Sequence, residues 1–390
     1  MRGRTPRLAL LAAAVAVLAA CGSPKEAANQ TPADTSPVKV GLVYSQTGAL
    51  ASYGKQYIDG FKAGLAYATN GSNKIGSRPV ELTEMDDAGD PAKAVSAAKD
   101  LVGKGVKILA GSTASGVALQ VAPIAAQNKV LFISGPAATD AVTGINRYTF
   151  RSGRQTWQDV LTAKSFIGGA AGKKIVVFAQ DSAFGQANEA AVKAVLGGEG
   201  ATVSSVLVPS AASEFSGFAD RVKTAKPDLL FVAWAGTTAP AMWQALDLQG
   251  VLSSTTVVTG LDQRASWPIF GAASGKISLL SHYFDGAASN PAADALKKAV
   301  PAVDLFHPDG FTAAQLVVRA VQQGGDDVDK MIGALEGYSF DGVKGKLTVR
   351  KEDHALLQPM FQAKFTDGKP ALVKALGPDE VTPPAVPMKG

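Results

Sequence analysis

The chain has 390 residues, of which 46% are apolar and 18% are charged, so it can bury a substantial core, and its length favours two domains over one. This composition excludes disorder of the chain as a whole. The formal net charge is +5, and no Lys/Arg cluster alternates with aromatic residues, which excludes an electrostatic footprint for nucleic acid.

The first 21 residues have the pattern of a secretory signal. Arg2, Arg4 and Arg7 form a basic head, the apolar stretch LALLAAAVAVL follows, and small residues lead to Cys21, the only cysteine. The apolar stretch is too short for a dependable membrane span. The segment resembles a bacterial lipoprotein signal, which implies cleavage after residue 20 and acylation of Cys21; the alternative is an ordinary signal with an incidental cysteine. Cleavage would lower the net charge to about +2.

Residues 21–37 are expected to comprise the acylated cysteine and a flexible tether. The sequence GSPKEAANQTPADTSP (22–37) is polar, rich in Pro, Ala and Ser, and without apolar periodicity, which is typical of a random coil. Because no second cysteine is available for a disulfide, the fold must be stabilised by packing.

From Val38 onward strands and helices alternate. VKVGLVY and RPVELTEMD are typical of strands, and the helical spacing of apolar and small residues between them predicts a helix. Asp90 is placed to cap the next helix and Pro91 to begin it. The predicted strands of this first series are 38–44, 78–86, 106–111, 130–135 and 147–153, and its other predicted helices are 53–70 and 116–129.

A second series of the same kind follows. Its predicted strands are 173–181, 201–209, 228–236, 254–262 and 276–284, and its predicted helices are 156–170, 185–198, 215–225 and 239–249. Two such series predict an α/β fold with two doubly wound parallel sheets, each covered by helices on both faces. Ligands of open sheets bind beyond the carboxyl ends of the strands, so two facing lobes should enclose a cleft there.

Four sequence blocks carry a likeness to a known family. They are SQTGALASYG (45–54), DDAGDPAKAVSAAKDLV (86–102), ILAGSTASGVALQVAPIAAQNKVLFISGPAATD (108–140) and VFAQDSAFGQ (177–186). From about Val38 to about Phe365 the chain resembles the type I periplasmic solute-binding proteins of the branched-chain amino acid class, which deliver ligands to ABC importers. The resemblance implies two lobes joined by a three-crossover hinge, no enzymatic activity and no cofactor.

The resemblance assigns the ligand's carboxylate to two loops, GSTASG (111–116) and GPAATD (135–140). Small residues allow main-chain N–H groups to approach an anion, and the N-terminus of the helix that begins near 116 adds its positive end. A serine or threonine of the first loop could instead cap that helix. The residues implied to hold the carboxylate are Ser115, Thr139, Gly116 and Ala137.

The resemblance draws the remaining lining residues from both lobes. Tyr53 matches a pocket tyrosine, with ordinary packing as the alternative. Phe184 stands where many members have a tyrosine, and Trp234 lies near a ligand-facing aromatic position, unless it packs between the lobes. Asp262 aligns with the acidic residue that accepts the ammonium of an amino acid, unless it is a turn or cap residue. Phe184 and Trp234 argue against simple leucine specificity.

Catalytic and metal sites have little support in the sequence. His282, His307 and His354 are scattered and form no HExxH pair, no GxGxxG follows the first strand, and GSTASG is not a GxSxG elbow. The acidic cluster at 86–90 is suggestive of a hard-cation site. Its expected role is structural, because Asp90 is positioned as a helix cap.

The strand order and the resemblance predict one lobe from 38–152 plus 284–345 and a second from 153–283 plus 346–390. We expect a lipid-anchored, extracytoplasmic substrate-binding protein that works with ABC permease subunits, on the outer face of the membrane or in the periplasm. Its expected ligand is a small carboxylate, an amino acid (branched-chain or otherwise apolar or aromatic) or a related acid, captured by hinge closure. The alternatives are a sensor of the same fold that signals to a membrane partner, or a cleft enzyme.

Overall fold

The computed structural model describes residues 34–389, and for 271–274 it describes the backbone only. The predicted signal peptide 1–20, the predicted lipidation site Cys21 and the tether up to residue 33 lie outside the described residues.

Strands and helices alternate along the described chain. The strands are β1 Val38–Tyr44, β2 Lys74–Ile75, β3 Arg78–Asp86, β4 Ile108–Gly111, β5 Leu131–Ser134, β6 Thr149–Arg151, β7 Lys174–Asp181, β8 Thr202–Pro209, β9 Leu229–Ala233, β10 Thr256–Gly260, β11 Ile277–Ser281, β12 Ser339–Gly342, β13 Gly345–Val349, β14 Leu356–Leu357, β15 Met360–Thr366 and β16 Lys369–Leu376. The α-helices are α1 Ala51–Ala68, α2 Pro91–Gly103, α3 Ser115–Asn128, α4 Thr156–Ile167, α5 Ala183–Val195, α6 Ser216–Ala225, α7 Ala239–Leu248, α8 Val251–Ser254, α9 Pro291–Ala299, α10 His307–Gly324 and α11 Val328–Leu335. Segments of 3-10 helix are Asp140–Val142, Gly197–Glu199, Arg264–Lys276 and Pro378–Glu380.

The first lobe is built on a six-stranded sheet in the order β2-β3-β1-β4-β5-β6. Every neighbouring pair is parallel except β2 with β3. Tyr44 pairs with Asp86, and Gly111 pairs with Val43 and Ser134. The loops after β1, β3, β4 and β5 therefore leave the sheet at one edge, which is where the candidate site lies.

Side chains alternate between the two faces of this sheet, as the period of a strand requires. In β5, Leu131 and Ile133 belong to the core formed with α1, α10 and α11. Phe132, between them, belongs to the core formed with α2 and α3. Burial on both faces explains why the central strands read as continuous apolar runs.

Helices α1 and α10 touch through glycines. A Cβ at Gly60 would lie 2.0 Å from the carbonyl oxygen of His307, and one at Gly310 would lie 1.9 Å from that of Tyr57. Only a residue without a side chain allows this approach. The packing of α10 on α1 is thus made by backbone contact as well as by apolar side chains.

The second lobe is built on a seven-stranded sheet in the order β16-β15-β11-β10-β9-β7-β8. Strands β11, β10, β9, β7 and β8 are parallel, as expected, with α4 and α5 on one face and α6, α7 and α8 on the other. Strands β15 and β16 add an antiparallel hairpin that the sequence analysis does not contain. The sequence contains a local signal for this turn, the pair Asp367 and Gly368. Both residues have positive φ, at 51° and 74°, as a two-residue hairpin turn requires.

The segment 346–390 is predicted to belong to the second lobe, but its first part packs on the first lobe. Leu347, Val349 and Leu356 lie in the core of the first lobe, because β13 pairs with β12 and β14 in a small antiparallel sheet beside α10 and α11. The third crossover therefore falls between β14 and β15. After β16 the chain returns to the first lobe, where Lys389 donates its N–H to the Gly144 carbonyl at 2.8 Å.

A buried polar cluster joins segments of all three crossovers. We call it the hinge cluster; it comprises His282, Asp309, Lys344, Gln158 and Gln358. Lys344 Nζ lies 3.6 Å from Asp309 Oδ1 and donates to Gln358 Oε1, and Gln358 Nε2 donates to Gln158 Oε1 at 3.1 Å. His282 Nε2 lies 3.7 Å from Asp309 Oδ2 and donates to the Leu305 carbonyl at 3.0 Å. Burial lowers the pKa of His282 well below its usual value, so the ion pair of the cluster is Lys344 with Asp309.

Candidate cleft binding site

Two adjoining pockets lie where loops of the two lobes face one another. The larger pocket has a volume of about 490 Å³, and the smaller pocket has about 70 Å³. Tyr53, Arg154, Phe184, Ala235 and Phe306 line both. The site therefore draws on both lobes, as the sequence predicts for a cleft between strand ends.

Ser115 and Gly116 line the larger pocket at the first turn of α3. The N-cap of this helix is Ala114, which makes no side-chain cap, so the capping alternative for the serines and threonine of the loop is wrong. Ser115 Oγ instead accepts the N–H of Thr139 at 3.2 Å, and Thr113 Oγ1 accepts the N–H of Ser45 at 3.2 Å. The uncapped first turn leaves helix N–H groups of Ser115 and Gly116 for an anion.

Ala137 and Thr139 do not line either pocket; their neighbours Pro136 and Ala138 line the larger one. The Ala137 N–H already donates to the Ser112 carbonyl at 3.1 Å, and Thr139 Oγ1 caps the 3-10 segment that follows it. The carbonyls of both residues accept Arg151, at 2.8 and 2.7 Å. The two residues thus hold the 135–140 loop from behind the pocket wall, with their polar groups already paired.

Tyr53 connects the lobes through Asp262. Its hydroxyl donates to Asp262 Oδ1 at 2.7 Å, and the same oxygen accepts the N–H of Gln263 at 2.7 Å. Asp262 lines the smaller pocket and not the larger one. Burial raises the pKa of Asp262 and that of the Tyr53 hydroxyl. The structure therefore separates Asp262 from Ser115, with Tyr53 between the two pockets.

The aromatic residues are divided between the pockets. Phe184 lines both pockets, whereas Trp234 lines only the smaller one. Trp234 stacks on Phe178 with ring centroids 5.5 Å apart, meets Phe215 edge-on at 5.4 Å, and donates Nε1–H to Thr238 at 3.0 Å. Trp234 is therefore fixed mainly by contacts within the second lobe, rather than by the inter-lobe packing considered from the sequence.

Phe306 and Arg154 line both pockets and are absent from the set drawn from the sequence. Phe306 packs on Tyr53 with ring centroids 4.5 Å apart, and no local pattern marks it. Arg154 lies in the first crossover, where its Nε is 3.3 Å from Asp159 Oδ2 and its guanidinium is 6.0 Å from the Phe184 ring centre. Burial raises the pKa of Asp159 to about 6, against the opposing effect of Arg154. A charged residue at the end of a predicted strand series was the available signal.

Comparison with known proteins identifies the family. A family model described as periplasmic binding protein matches residues 37–370. The chain belongs to the periplasmic binding protein family. The Leu/Ile/Val-binding protein BraC3 of Rhizobium johnstonii is 27% identical over 345 residues, covering 85% of this chain and 92% of that protein.

Solved structures share the two-lobed fold. One, described as an ABC-type branched-chain amino acid transporter from Rhodopseudomonas palustris CGA009, is 32% identical with a TM-score of 0.74 and covers 89% of this chain and 99% of its own. A solute-binding protein of an ABC transporter from Rhodopseudomonas palustris HaA2, in complex with p-hydroxybenzoic acid, has a TM-score of 0.79 at 23% identity, covering 88% and 97%; this likeness concerns the fold alone. The expected two-lobe architecture is confirmed, and the chain is an ABC-type solute-binding protein.

Two further findings concern residues 34–389. No helix in this part of the chain is long and apolar enough to cross a bilayer. Within the same range, no three His, Cys, Asp or Glu side chains are grouped so that they could hold a metal ion. In the acidic cluster predicted to be structural, Asp90 caps α2 by accepting the N–H groups of Ala92 and Lys93, and Asp87 accepts the Ser45 hydroxyl at 2.7 Å.

Proposed function

We propose that this chain is the ligand-binding component of an ABC importer and binds a small carboxylate-bearing solute between its lobes without chemical turnover. The relatives described as Leu/Ile/Val-binding proteins support the solute class, and a structure of the same fold holds an aromatic acid. The proposed ligand is accordingly an apolar or aromatic acid, amino acids included.

The observation that carries this proposal is the composition of the larger pocket. Ser115 and Gly116 present the uncapped start of α3 on one side, and Phe184 presents an aromatic ring from the second lobe. Main-chain N–H groups at a helix start favour a carboxylate, and an aromatic wall favours an apolar body. A ligand that meets both sides gains contacts only when the lobes are together, so binding stabilises the closed form.

We further propose that the protein works outside the cytoplasm, held to the membrane by acyl chains on Cys21. The supporting observation is the basic, apolar and small-residue order of residues 2–21. A labelled fatty acid should be incorporated into the wild-type protein and not into Cys21→Ser, with ligand binding equal in the two. Incorporation into the variant would refute the anchor and leave the binding proposal intact.

The binding proposal is tested by calorimetric titration of the protein without its lipid, freed of bound solute by unfolding and refolding. Apolar and aromatic acids, amino acids and their carboxylate-free analogues are titrated, and each bound compound is recovered and weighed by mass spectrometry. We expect binding only when a carboxylate is present, and recovery without change of mass. Binding of carboxylate-free analogues, or a changed mass, would refute the proposal.

A matched pair of variants locates the site. Gly116→Ala adds a methyl group whose nearest neighbour is Pro91 Cγ at 3.8 Å, so the fold accommodates it while the pocket loses room. Affinity should fall by about tenfold or more, for a loss of about 1.4 kcal/mol. Ser96→Ala, an exposed change on α2, should leave affinity within experimental error. Equal affinity in both variants would place the carboxylate elsewhere.

A further inference from the structure

We infer that the cleft selects carboxylates that carry no ammonium group. Arg154 supplies the charge that attracts the carboxylate, and the Tyr53–Asp262 contact occupies the position that an ammonium would need. This inference rests on the proposed function and specifies its ligand class. It departs from the role that the sequence suggested for Asp262.

The charge of the larger pocket favours an anion. Among its described lining residues, Arg154 is the only one that is charged at neutral pH, and there is no Asp, Glu, Lys or His. An ammonium placed there would lose its water without gaining an anion, whereas a carboxylate would gain the guanidinium as a partner. Asp159 offsets part of the charge of Arg154 through the 3.3 Å contact, but it lines only the smaller pocket.

Helix dipoles also favour an anion in the larger pocket. Leu50, Pro91, Ser115 and Ala183 lie at the starts of four α-helices and all line the larger pocket. Asp90 balances the start of α2, since its carboxylate caps that helix. Helices α1, α3 and α5 have no acidic residue in the first turn. Their N-terminal ends add positive potential, which favours an anion and opposes a cation.

Asp262 is already hydrogen-bonded within the protein. Its Oδ1 accepts both the Tyr53 hydroxyl and the Gln263 N–H, and it faces the smaller pocket of about 70 Å³. Tyr53 lines both pockets and donates to this carboxylate where they adjoin, and a hydrogen bond from the Ser266 side chain also acts on it. An ammonium that reached Asp262 would therefore compete with the Tyr53–Asp262 contact. The contact also joins the lobes, so displacing it would remove a bond of the closed form. Asp262 is thus better placed as an inter-lobe acceptor than as a ligand group.

The test uses matched pairs of ligands. Calorimetric titration compares each acid that binds in the screen above with its α-amino counterpart; 3-phenylpropanoate with phenylalanine and 4-methylpentanoate with leucine are the first pairs. We expect the amine-free acid to bind at least about tenfold more tightly, as for a site that lacks a partner for a buried polar group. An amino acid that binds equally well or better overturns this inference while leaving the proposed function in place. If no carboxylate binds, the proposed function fails, and this inference with it.

Variants distinguish the role of Arg154 in binding the carboxylate from the role of Asp262 in the contact between the lobes. Arg154→Gln combined with Asp159→Asn removes both charges, so no buried carboxylate is left alone, and should weaken the acid by tenfold or more; Arg154→Lys should retain part of the affinity. Asp262→Asn should change the affinities of acid and amino acid by the same factor. A loss confined to the amino acid in Asp262→Asn, or unchanged acid binding in the double variant, would overturn the inference.

Discussion

Replacing Lys344 by methionine should destabilise the protein by about 3–5 kcal/mol, the typical cost of removing one partner of a buried ion pair. The Lys344 and Asp309 side chains are both fully buried, and the Nζ to Oδ1 distance is 3.6 Å. The neutral His282 offers Asp309 no compensating charge. The variant therefore leaves the Asp309 carboxylate without its ion-pair partner, and only the more distant charges of Arg154 and Arg151 still act on it.

The cost can be measured by urea unfolding and by calorimetry. An unfolding entropy of about 2.1 cal/mol/K per residue, for a folded region of about 350 residues, converts a loss of about 4 kcal/mol into a fall in melting temperature of about 5 °C. The loss of stability caused by a volume-matched apolar substitution elsewhere in the core would not change with pH. The pH dependence thus distinguishes a charge effect from a packing effect.

The sign of that dependence follows from the protonation of Asp309. Burial already raises the pKa of Asp309 in the wild type, and loss of the Lys344 charge raises it further. In the variant the folded state therefore holds a proton that the unfolded state releases above about pH 4, so stability falls as the pH rises. The deficit of Lys344→Met should be larger at pH 8 than at pH 5.

The control is Lys344→Met combined with Asp309→Asn, which leaves no ion in the cluster. Replacing both members of a buried pair by uncharged groups is commonly near neutral, so the double variant should recover most of the lost stability at pH 8. A cost below about 1 kcal/mol for the single variant at pH 8, or a double variant as unstable as the single one, would contradict a stabilising ion pair between Lys344 and Asp309.

Two further predictions concern the fold and the cleft. Gly54→Ala in α1 should cost about 2 kcal/mol or more, because its Cβ would lie 1.9 Å from the Ser45 carbonyl oxygen; Gly103→Ala, near the end of α2 with nothing within 4 Å, should be neutral or stabilising in the same denaturation assay, and equal effects would contradict the packing. The ¹³C resonance of the Asp159 carboxyl should titrate near pH 6 and be absent in Asp159→Asn. Because the folded state keeps this proton above the usual carboxyl range, the contribution of Asp159 to stability, measured as the difference from Asp159→Asn, should fall between about pH 4 and pH 6. A midpoint near 4 would contradict the desolvation argument.

Much of the fold could be predicted because its signals are local. Strands β1 and β3 have the predicted bounds, and Asp90 and Pro91 begin α2 as their cap and first-turn preferences require. The β15–β16 hairpin has an equally local signal at Asp367 and Gly368, but the alternating βα pattern favours parallel strands and the hairpin is not predicted. The position of the third crossover has no such local signal. Strands β13 and β14 lie on the first lobe because the core of that lobe buries Leu347.

The candidate site likewise contains residues that could be assigned before the structure was known and residues that could not. The resemblance implied cleft positions for Ser115, Gly116, Tyr53 and Phe184, and all four line the larger pocket, at the edge where the loops after parallel strands leave a sheet. The sequence marks Arg154 only as a charged residue that follows a predicted strand, and its place in the cleft depends on how the first crossover passes between the lobes.

The alternation of strands and helices, and the edge of each sheet that carries the loops, are therefore readable from the residues in order, because they depend on contacts between near neighbours. The pairing of the polar groups is visible only in the folded chain. The Tyr53 hydroxyl meets Asp262 across 209 residues of chain, and that contact changes Asp262 from a candidate ammonium acceptor into a bond between the lobes. Long-range pairing depends on the packing of both lobes at once, which no local pattern of residues contains.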